Sequence, residues 1–220
     1  MVSEISEGVY DLELEIEYGG EPRVSHAAAI EADHGVVLVD TGVPSQADDV
    51  REALAEIGHD LADVSLVVFT HQDGDHAGAG AELVAESDAL TAASVGDAPA
   101  IDGRADTVKG EGERYPPVRV DIEFVEGVTF ETNAGTVEVV ETPGHTPGHV
   151  SLFLPDADLL LAGDALTGGD ELRGPREDVT PDLETAHDSV THLAEYDYET
   201  VLCFHGGLYD ATPEDVGELV

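Results

Sequence analysis

An α/β or α+β fold, with two sheets or one large mixed sheet, is predicted by three features of the sequence. Apolar segments with strand patterning fall into two groups, over residues 9–70 and 121–162. A middle segment that contains Gly, Pro and several charged residues separates the groups, and segments with helical spacing lie among and after them. Strands and helices mixed in this way pack as layers around a common core. We expect the chain to form a single domain, residues 1–220.

The first half of the chain has recognisable element boundaries. Residues 9–18 alternate apolar and acidic side chains, as a half-buried strand does. Ser45 and Gly58 stand where the N-cap and the C′ glycine of a first helix belong. The elements predicted for this half are further strands at 26–32, 36–40 and 65–70 and helices at about 46–57 and 79–86.

The second half begins with a segment, 96–120, that is predicted to be a long surface loop with a short strand. A helix is predicted from Pro181 to about Tyr196, with Thr180 as its N-cap and the proline at the first helical position. Thr212 and the following proline open a short terminal helix. The strands predicted for this half lie at 121–130, 136–141, 149–154, 158–162 and 200–204.

The charge of the chain is strongly one-sided. Asp and Glu number 49, Lys and Arg number 8, and Lys109 is the only lysine, so the formal net charge is −41. Such a surface repels itself at low salt, whereas molar salt shortens the screening length to about 3 Å. A disordered acidic chain is excluded by the hydrophobic content of 41%. The composition therefore predicts a folded protein of a salt-rich cytosol, of the halophilic archaeal type.

The same composition limits the partners. Nucleic acid and anionic membrane surfaces are disfavoured, because their phosphates need cations that this chain lacks. The opening MVSEISE has neither region of a signal peptide, and no apolar run approaches the roughly 20 residues that span a bilayer. With Cys203 as the single cysteine, no intrachain disulfide is possible. We therefore expect a cytoplasmic protein with a small-molecule substrate and leave its oligomeric state open.

Apolar strands in this chain repeatedly end in Asp or His. A single such residue is more simply read as the end of a strand, but five cases are difficult to assign to chance. Strand ends that meet at one edge of a sheet are common places for a binding site. The residues that follow the five strands are Asp40, His71, His145, Asp164 and His205.

The densest cluster of candidate ligands is T-H-Q-D-G-D-H-A-G, residues 70–78. Residues two apart in an extended chain point to the same side, so His71, Asp73 and Asp75 are expected to face one pocket, with His76 turning in next. Imidazole and carboxylate ligands together suit zinc, iron or manganese. A loop that only caps the next helix needs one Asp or Ser, not four ligand-type groups.

Five segments together resemble the metallo-β-lactamase-fold hydrolases, the superfamily that includes glyoxalase II-like enzymes. The resemblance covers nearly the whole chain and implies a four-layer αββα sandwich of two mixed β-sheets, with metals at one end of the sheets. The matching segments are L-V-D-T-G (38–42), the T-H-x-x-x-D-H loop, T-P-G-H-T-P-G-H (142–149), A-G-D-A-L (162–166) and C-F-H-G-G (203–207).

The resemblance also implies a ligand set for two divalent metal ions, expected to be zinc. His71, Asp73 and His145 would hold the first ion. Asp75, His76 and His205 would hold the second, and Asp164 would bridge the two. Asp40 is equally well interpreted as a support for one ligand or as the end of its strand.

Asp73 departs from the family pattern, which usually has histidine at this position. The three carboxylates of the implied site, including Asp73, leave about one net positive charge from two divalent ions, where a histidine would leave about two. The first ion should therefore be a weaker Lewis acid, and iron or manganese becomes possible at the site containing Asp73.

The resemblance implies a binuclear metal-dependent hydrolase. A metal-bridged hydroxide would cleave an ester, thioester or lactone bond, with Asp75 and Asp164 as the catalytic residues. The alternative is a mononuclear-iron oxidoreductase like the persulfide dioxygenases of the same superfamily. A non-catalytic binding module is disfavoured, because none of the ligand-type residues is missing outright.

Two further histidines are predicted to have structural roles rather than to bind a metal. His149 stands next to Gly148 at the start of a strand, where a structural role is expected rather than ligation. His187 falls on the apolar side of the predicted 181–196 helix and is expected to be buried.

High salt is expected to stabilise the fold, because it screens the repulsion of a −41 charge. A thermal melt in about 2 M potassium chloride should show a clearly higher midpoint than one in about 50 mM. Sucrose at matched osmolality serves as the control, because it does not screen charge. Equal midpoints at both salt concentrations would contradict the prediction.

Overall fold

The computed structural model describes residues 1–18, 21–109 and 114–220, and within them thirteen strands form two sheets. The first sheet follows chain order: Val2–Ser6 (β1), Val9–Tyr18 (β2), Glu21–Ala32 (β3), Gly35–Val39 (β4), Val64–Val68 (β5), Leu90–Ser94 (β6) and Ile122–Phe124 (β7). The strands of the second sheet are Thr129–Thr132 (β8), Gly135–Glu141 (β9), Val150–Leu154 (β10), Leu159–Gly163 (β11), Thr200–Cys203 (β12) and Gly207–Asp210 (β13). Across this sheet they lie in the order β13-β12-β11-β10-β9-β8.

Both sheets are mixed. Strands β1 to β4 pair antiparallel, and β4 to β7 pair parallel. In the second sheet, β11 and β12 pair parallel and the other neighbours antiparallel. The α-helices are Ala47–Glu56 (α1), Gly74–Ala77 (α2), Gly80–Ser87 (α3), Ala98–Ile101 (α4), Leu183–Leu193 (α5) and Pro213–Gly217 (α6), with 3-10 turns at Pro44–Gln46, Leu61–Asp63 and Pro155–Ala157.

The strand residues alternate between two hydrophobic clusters, and this alternation builds the layers. In β4, Val37 and Val39 contribute to the cluster between the sheets, whereas Leu38 contributes to the cluster under α1 and α3. In β11, Leu161 faces the other sheet, and Leu160 belongs to the cluster that contains α5 and α6. The result is the four-layer αββα sandwich of two mixed sheets that the sequence predicts. Each fully buried Leu or Val contributes about 1.5–3 kcal/mol to this arrangement.

Local predictions were wrong at two helix starts. Asp182, not Thr180, is the N-cap of α5, because its carboxylate accepts a hydrogen bond from the Thr185 backbone amide at 3.1 Å. Pro181 therefore lies before the helix rather than at its first position. Ser45 lies inside a 3-10 turn that precedes α1 and does not cap it. Gly58 does take a left-handed conformation after α1, with φ of 85°, as predicted.

The middle of the chain also differs from the prediction. The described part of 96–120 holds a short helix, α4, and no strand. The predicted strand 121–130 is two strands in different sheets, because Gly127 turns the chain with φ of 74° between β7 and β8. Three strands, β1, β6 and β13, were not predicted. Among the described residues, no helix has both the length and the hydropathy to cross a membrane.

Candidate metal centre

The strand ends named above meet at one edge of the sandwich. Strands β4 and β5 are parallel neighbours in the first sheet, and β11 and β12 are parallel neighbours in the second. The carboxyl end of each parallel pair therefore lies beside that of its neighbour, and the loop between β9 and β10 adds a fifth element. The residues placed there are Asp40, His71, His145, Asp164 and His205.

His71, Asp73 and His145 form one group, which we call the first triad. One donor atom of each side chain lies within 4.8 Å of the others. The Asp73 Oδ2 atom is 3.5 Å from His71 Nε2 and 3.2 Å from His145 Nε2. This triad is well enclosed, since the His71 and His145 side chains are 0% and 5% exposed.

Asp75, His76 and His205 form a second group, the second triad, with donor atoms again within 4.8 Å of one another. Asp75 Oδ2 lies 3.1 Å from His205 Nε2, and these side chains are 41% and 43% exposed. His76 is fully buried beneath them. The second triad therefore opens to solvent more than the first does.

Asp164 lies between the triads. Its Oδ1 atom is 3.4 Å from His76 Nε2, and its Oδ2 atom is 3.3 Å from His145 Nε2 and 3.6 Å from His205 Nε2. The structure thus brings together all seven residues named from the sequence. Their roles as ligands stay a prediction.

The 71–76 loop reaches this arrangement by a different backbone path from the one predicted. It is not extended throughout, because α2 begins at Gly74, and a helical turn carries Asp75 to the second triad. Asp73 occupies the N-cap position of α2, yet its side chain makes no capping hydrogen bond and turns to His145 instead. A capping role therefore does not explain this carboxylate.

Asp40 connects the loop to the end of β4. Its Oδ1 atom accepts a hydrogen bond from the Thr70 backbone amide at 2.9 Å, and its Oδ2 atom lies 2.8 Å from His76 Nδ1. Because the carboxylate can only accept, Nδ1 of His76 carries a proton. The Nε2 atom of His76 is therefore the one that faces the centre. The structure favours the interpretation of Asp40 as a support for a ligand over the interpretation that it only ends its strand.

The Thr70 hydroxyl fixes the neighbouring imidazole in the same way. It donates to Asp40 Oδ2 at 2.7 Å and lies 3.1 Å from His71 Nδ1. Having used its proton on Asp40, the hydroxyl accepts from His71 Nδ1. Both histidines therefore present Nε2, the orientation that a metal ligand requires.

His149 has the structural role expected from the sequence. Its Nε2 atom accepts a hydrogen bond from the Asp164 backbone amide at 2.9 Å, and its Nδ1 atom lies 2.8 Å from the Thr142 hydroxyl. Gly163 allows this approach, because a Cβ atom there would lie 2.7 Å from His149 Nε2. The imidazole thereby positions the backbone of Asp164.

Three buried polar atoms show that the residues fit a cation. His71 Nε2, His76 Nε2 and Asp164 Oδ1 have no hydrogen-bond partner among the described residues. An unsatisfied buried polar group costs about 1–3 kcal/mol, and more when charged. One donor atom from each of these side chains lies within 4.8 Å of the others. A divalent ion bound by nitrogen and oxygen donors would satisfy them, and zinc, iron and manganese accept this donor set.

The carboxylates of the two triads are held in their charged form. Burial alone would raise the pKa of Asp73, but contacts with His145 and His71 hold that pKa well below its usual range. Burial also acts to raise the pKa of Asp75, and the contact with His205 contributes most to bringing it down to about 2. Both groups are therefore ready to bind a cation.

The histidines of the two triads differ in charge. Burial acts to lower the pKa of His76, but the carboxylates of Asp40 and Asp164 raise it well above the ordinary value. The pKa of His205 is also raised, chiefly by Asp164 against the effect of burial. Burial lowers the pKa of His145 in the first triad. The pKa shifts therefore favour the protonated form of His76 and His205 and the neutral form of His145.

Sequence reasoning missed Asp97, which ties the two ligand loops together. Its Oδ1 atom accepts from the Gln72 side-chain amide and from the Gly148 backbone amide, both at 2.8 Å. Its Oδ2 atom accepts from the Gln72 backbone amide at 2.9 Å and from the Thr146 hydroxyl at 2.6 Å. The signal was present, because Asp97 follows strand β6 at the same sheet edge, but that strand was not predicted.

Sequence reasoning also left Lys109 without a role. Its Nζ atom lies 2.5 Å from Asp73 Oδ2 and 2.5 Å from His145 Nε2, and it donates to the Val179 carbonyl at 3.3 Å. Its position in a loop gave no indication of this contact. His187 was assigned wrongly, since it is exposed on α5 rather than buried.

Replacing Asp97 with asparagine should lower the free energy of unfolding by about 2–4 kcal/mol, because the amide turns an N–H group toward buried donors. Urea unfolding at high salt measures the change, and metal affinity at the first triad should fall with it. Asp178→Asn is the matched control, since Asp178 is exposed and pairs with Arg176. Equal unfolding curves for the two variants would show that Asp97 does not hold the loops.

Metal uptake at the second triad is expected to release protons. His76 and His205 have raised pKa values in the metal-free protein, so below these values each ring must lose a proton to bind a metal. Affinity should therefore weaken as the pH falls from about 8 to about 6. Calorimetric titration in buffers of different ionisation enthalpy measures the protons released.

The control for proton release is His192→Gln. His192 also has a raised pKa, because of its hydrogen bond with Glu126, but it lies on the exposed side of α5. The variant should release as many protons as the parent on binding metal. Uptake at the second triad without proton release, at any pH in this range, would refute the charge assignment.

Known proteins share both the sequence and the fold of this chain. The family model of the metallo-β-lactamase superfamily matches residues 20–205. A probable metallo-hydrolase of Bacillus subtilis is 32% identical over 79% of this chain and 76% of its own length. A hydroxyacylglutathione hydrolase of Cereibacter sphaeroides is 34% identical over 55% of this chain, but the match spans only 40% of that enzyme.

Solved structures agree with these relatives. A metallo-β-lactamase from Cronobacter sakazakii superposes with a TM-score of 0.75 at 25% identity, covering 92% of this chain and 80% of that one. A metallo-β-lactamase family protein from Thermus thermophilus, at 23% identity, shares the fold with a TM-score of 0.77 over 98% of this chain and 78% of its own. Together with the family match over most of its length, they show that this chain belongs to the metallo-β-lactamase superfamily.

Proposed function

We propose that the protein is a binuclear metal-dependent hydrolase that cleaves an ester, thioester or lactone bond of a small molecule. The observation that carries the proposal is the pair of triads with Asp164 between them. A single-metal enzyme needs one such group of ligands, whereas this centre has two. The first triad would hold one divalent ion, the second triad would hold the other, and the carboxylate of Asp164, which lies against histidines of both triads, would serve both.

When bound, a pair of divalent ions lowers the pKa of water to supply a hydroxide nucleophile and polarises the scissile carbonyl. The exposed carboxylate of Asp75 is placed to orient the attacking water and to accept its proton. Asp40, Thr70 and His149 hold the imidazoles and the bridging carboxylate in position. No serine or cysteine nucleophile is required, and burial raises the pKa of the Cys203 thiol.

The relatives support hydrolysis as the reaction class. The Bacillus subtilis relative is described as a probable metallo-hydrolase, and others are hydroxyacylglutathione hydrolases, which cleave a thioester. The bond type for this chain is an ester, thioester or lactone because each presents the carbonyl carbon that such a centre activates. We infer zinc as the usual metal, with iron or manganese at the triad containing Asp73. We also propose that the enzyme works in the cytoplasm of a halophilic archaeon, since its charge suits high salt.

Two metal ions per chain and metal-dependent turnover are the expected results. Elemental analysis gives the stoichiometry, and a panel of esters, thioesters and lactones in high salt gives the activity. Asp73→Ala should lose close to one equivalent and reduce kcat/KM by about 100-fold or more, since even the outer partners of metal ligands contribute about 10–100-fold. Asp73→His should keep both equivalents and shift the preference of the first triad toward zinc.

Asp178→Asn again provides a control that removes one exposed carboxylate outside the set of candidate ligands. It should match the parent in metal content and turnover. Absence of bound transition metal, with no uptake on reconstitution, would overturn the proposal. One iron per chain with oxygen consumption on a persulfide would favour the oxidoreductase instead.

A further inference from the structure

The only lysine of the chain lies in the first triad. Lys109 Nζ is 2.5 Å from Asp73 Oδ2 and 2.5 Å from His145 Nε2, two of the three donor atoms of that triad. Its side chain is 24% exposed, so it reaches into the centre from the surface. The ammonium group thus contacts the same atoms that the proposed function assigns to the first metal.

The contact with His145 excludes a metal on the same atom. A neutral imidazole nitrogen has a single lone pair, and the Lys109 ammonium, which can only donate, engages the lone pair of Nε2. A metal ligand must offer that lone pair to the ion at about 2.0–2.1 Å. Lysine and metal therefore compete for one atom, and repulsion between the two cations adds to the competition.

The backbone beside Lys109 is fixed to the ligand loop. The Val108 amide donates to Gln72 Oε1 at 2.7 Å, and the Gln72 side-chain amide donates to Asp97 Oδ1 at 2.8 Å. Gln72 stands between the ligand residues His71 and Asp73 in the sequence. These hydrogen bonds hold the backbone of the lysine next to the first triad, so only its side chain has to move.

The second triad has a different set of ion pairs. Asp75 pairs with His205 at 3.1 Å, and Asp164 pairs with His76 at 3.4 Å and with His205 at 3.6 Å. These partners are themselves candidate ligands, whereas Lys109 must withdraw its side chain from the first triad before an ion can bind there. The two triads therefore differ in what a metal has to displace.

We propose that the Lys109 ammonium group occupies the first metal position in the metal-free protein, so that metal loading is sequential. The second triad fills first, and the first triad fills only as Lys109 withdraws. This inference rests on the proposed two-metal function. It assigns Lys109 as the residue that sets the affinity of the first triad and that reports its occupancy.

Zinc titration against a chromophoric chelator tests the order of binding. The parent should bind two equivalents with different affinities, the second equivalent being the weaker. Lys109→Met keeps an unbranched side chain one atom shorter and removes its charge, and it should tighten the weaker equivalent roughly tenfold while leaving the tighter one unchanged. Arg104→Gln removes a charge from the same region, where Arg104 pairs with Asp102 and Glu123, and should change neither equivalent.

A second measurement needs no variant of Lys109. Because the chain has one lysine, an amine-acetylating reagent modifies only Lys109 and the terminal amine of Met1. Met1 is 78% exposed and serves as the internal reference. Peptide mass spectrometry should show Lys109 protected with zero or one equivalent of zinc and modified roughly tenfold faster with two.

The outcomes separate this inference from the function on which it rests. If Lys109→Met binds both equivalents as the parent does, or if the second equivalent leaves acetylation unchanged, the inference is overturned and the two-metal centre stands. If neither the parent nor Arg104→Gln binds zinc at all, both the centre and the inference are overturned. Tightening confined to the weaker equivalent, together with release of Lys109, establishes the sequential order.

Discussion

The metal centre depends on a group of buried donor atoms that the protein alone does not satisfy. His71 Nε2, His76 Nε2 and Asp164 Oδ1 are withdrawn from water and have no hydrogen-bond partner among the described residues. Burial of such atoms opposes folding unless a bound cation, or an ion pair such as that of His76 with Asp164, offsets it. The surrounding bonds make the arrangement possible, since Asp40 and Thr70 fix the imidazoles through their Nδ1 atoms. The fold thus holds ligands in place before any metal binds.

The rest of the structure secures these atoms at the junction of two sheets. One ligand loop follows β5 in the first sheet, and the other joins β9 to β10 in the second. The buried carboxylate of Asp97 accepts hydrogen bonds from both loops, through Gln72 on one side and Thr146 and Gly148 on the other. A shared acceptor of this kind couples the two layers, so movement of one loop must disturb the other.

Repulsion between carboxylates has to be offset at the centre, as it does at the surface of this acidic chain. The chain has very few cations, and one of them, Lys109, is placed against Asp73 and His145. Carboxylates crowded at one sheet edge repel one another unless a positive charge lies among them. Histidinium, lysine and metal can each provide that charge. In this structure Lys109 lies against Asp73 at the first triad, and histidines lie against Asp75 and Asp164 at the second.

The sequence by itself indicated a mixed fold of strands and helices with ligand-type side chains at strand ends, because these are local patterns, and its resemblance to a known family implied the two-sheet sandwich and the seven candidate ligands. It also indicated Asp73 as the unusual member of the set. Only the tertiary structure decided what depends on distant contacts. The role of Asp97 and the position of Lys109 depend on contacts between residues far apart in the chain, 25 positions for the bond from Gln72 and 36 positions for the contact with His145. No local pattern encodes such pairings, since packing between layers selects them.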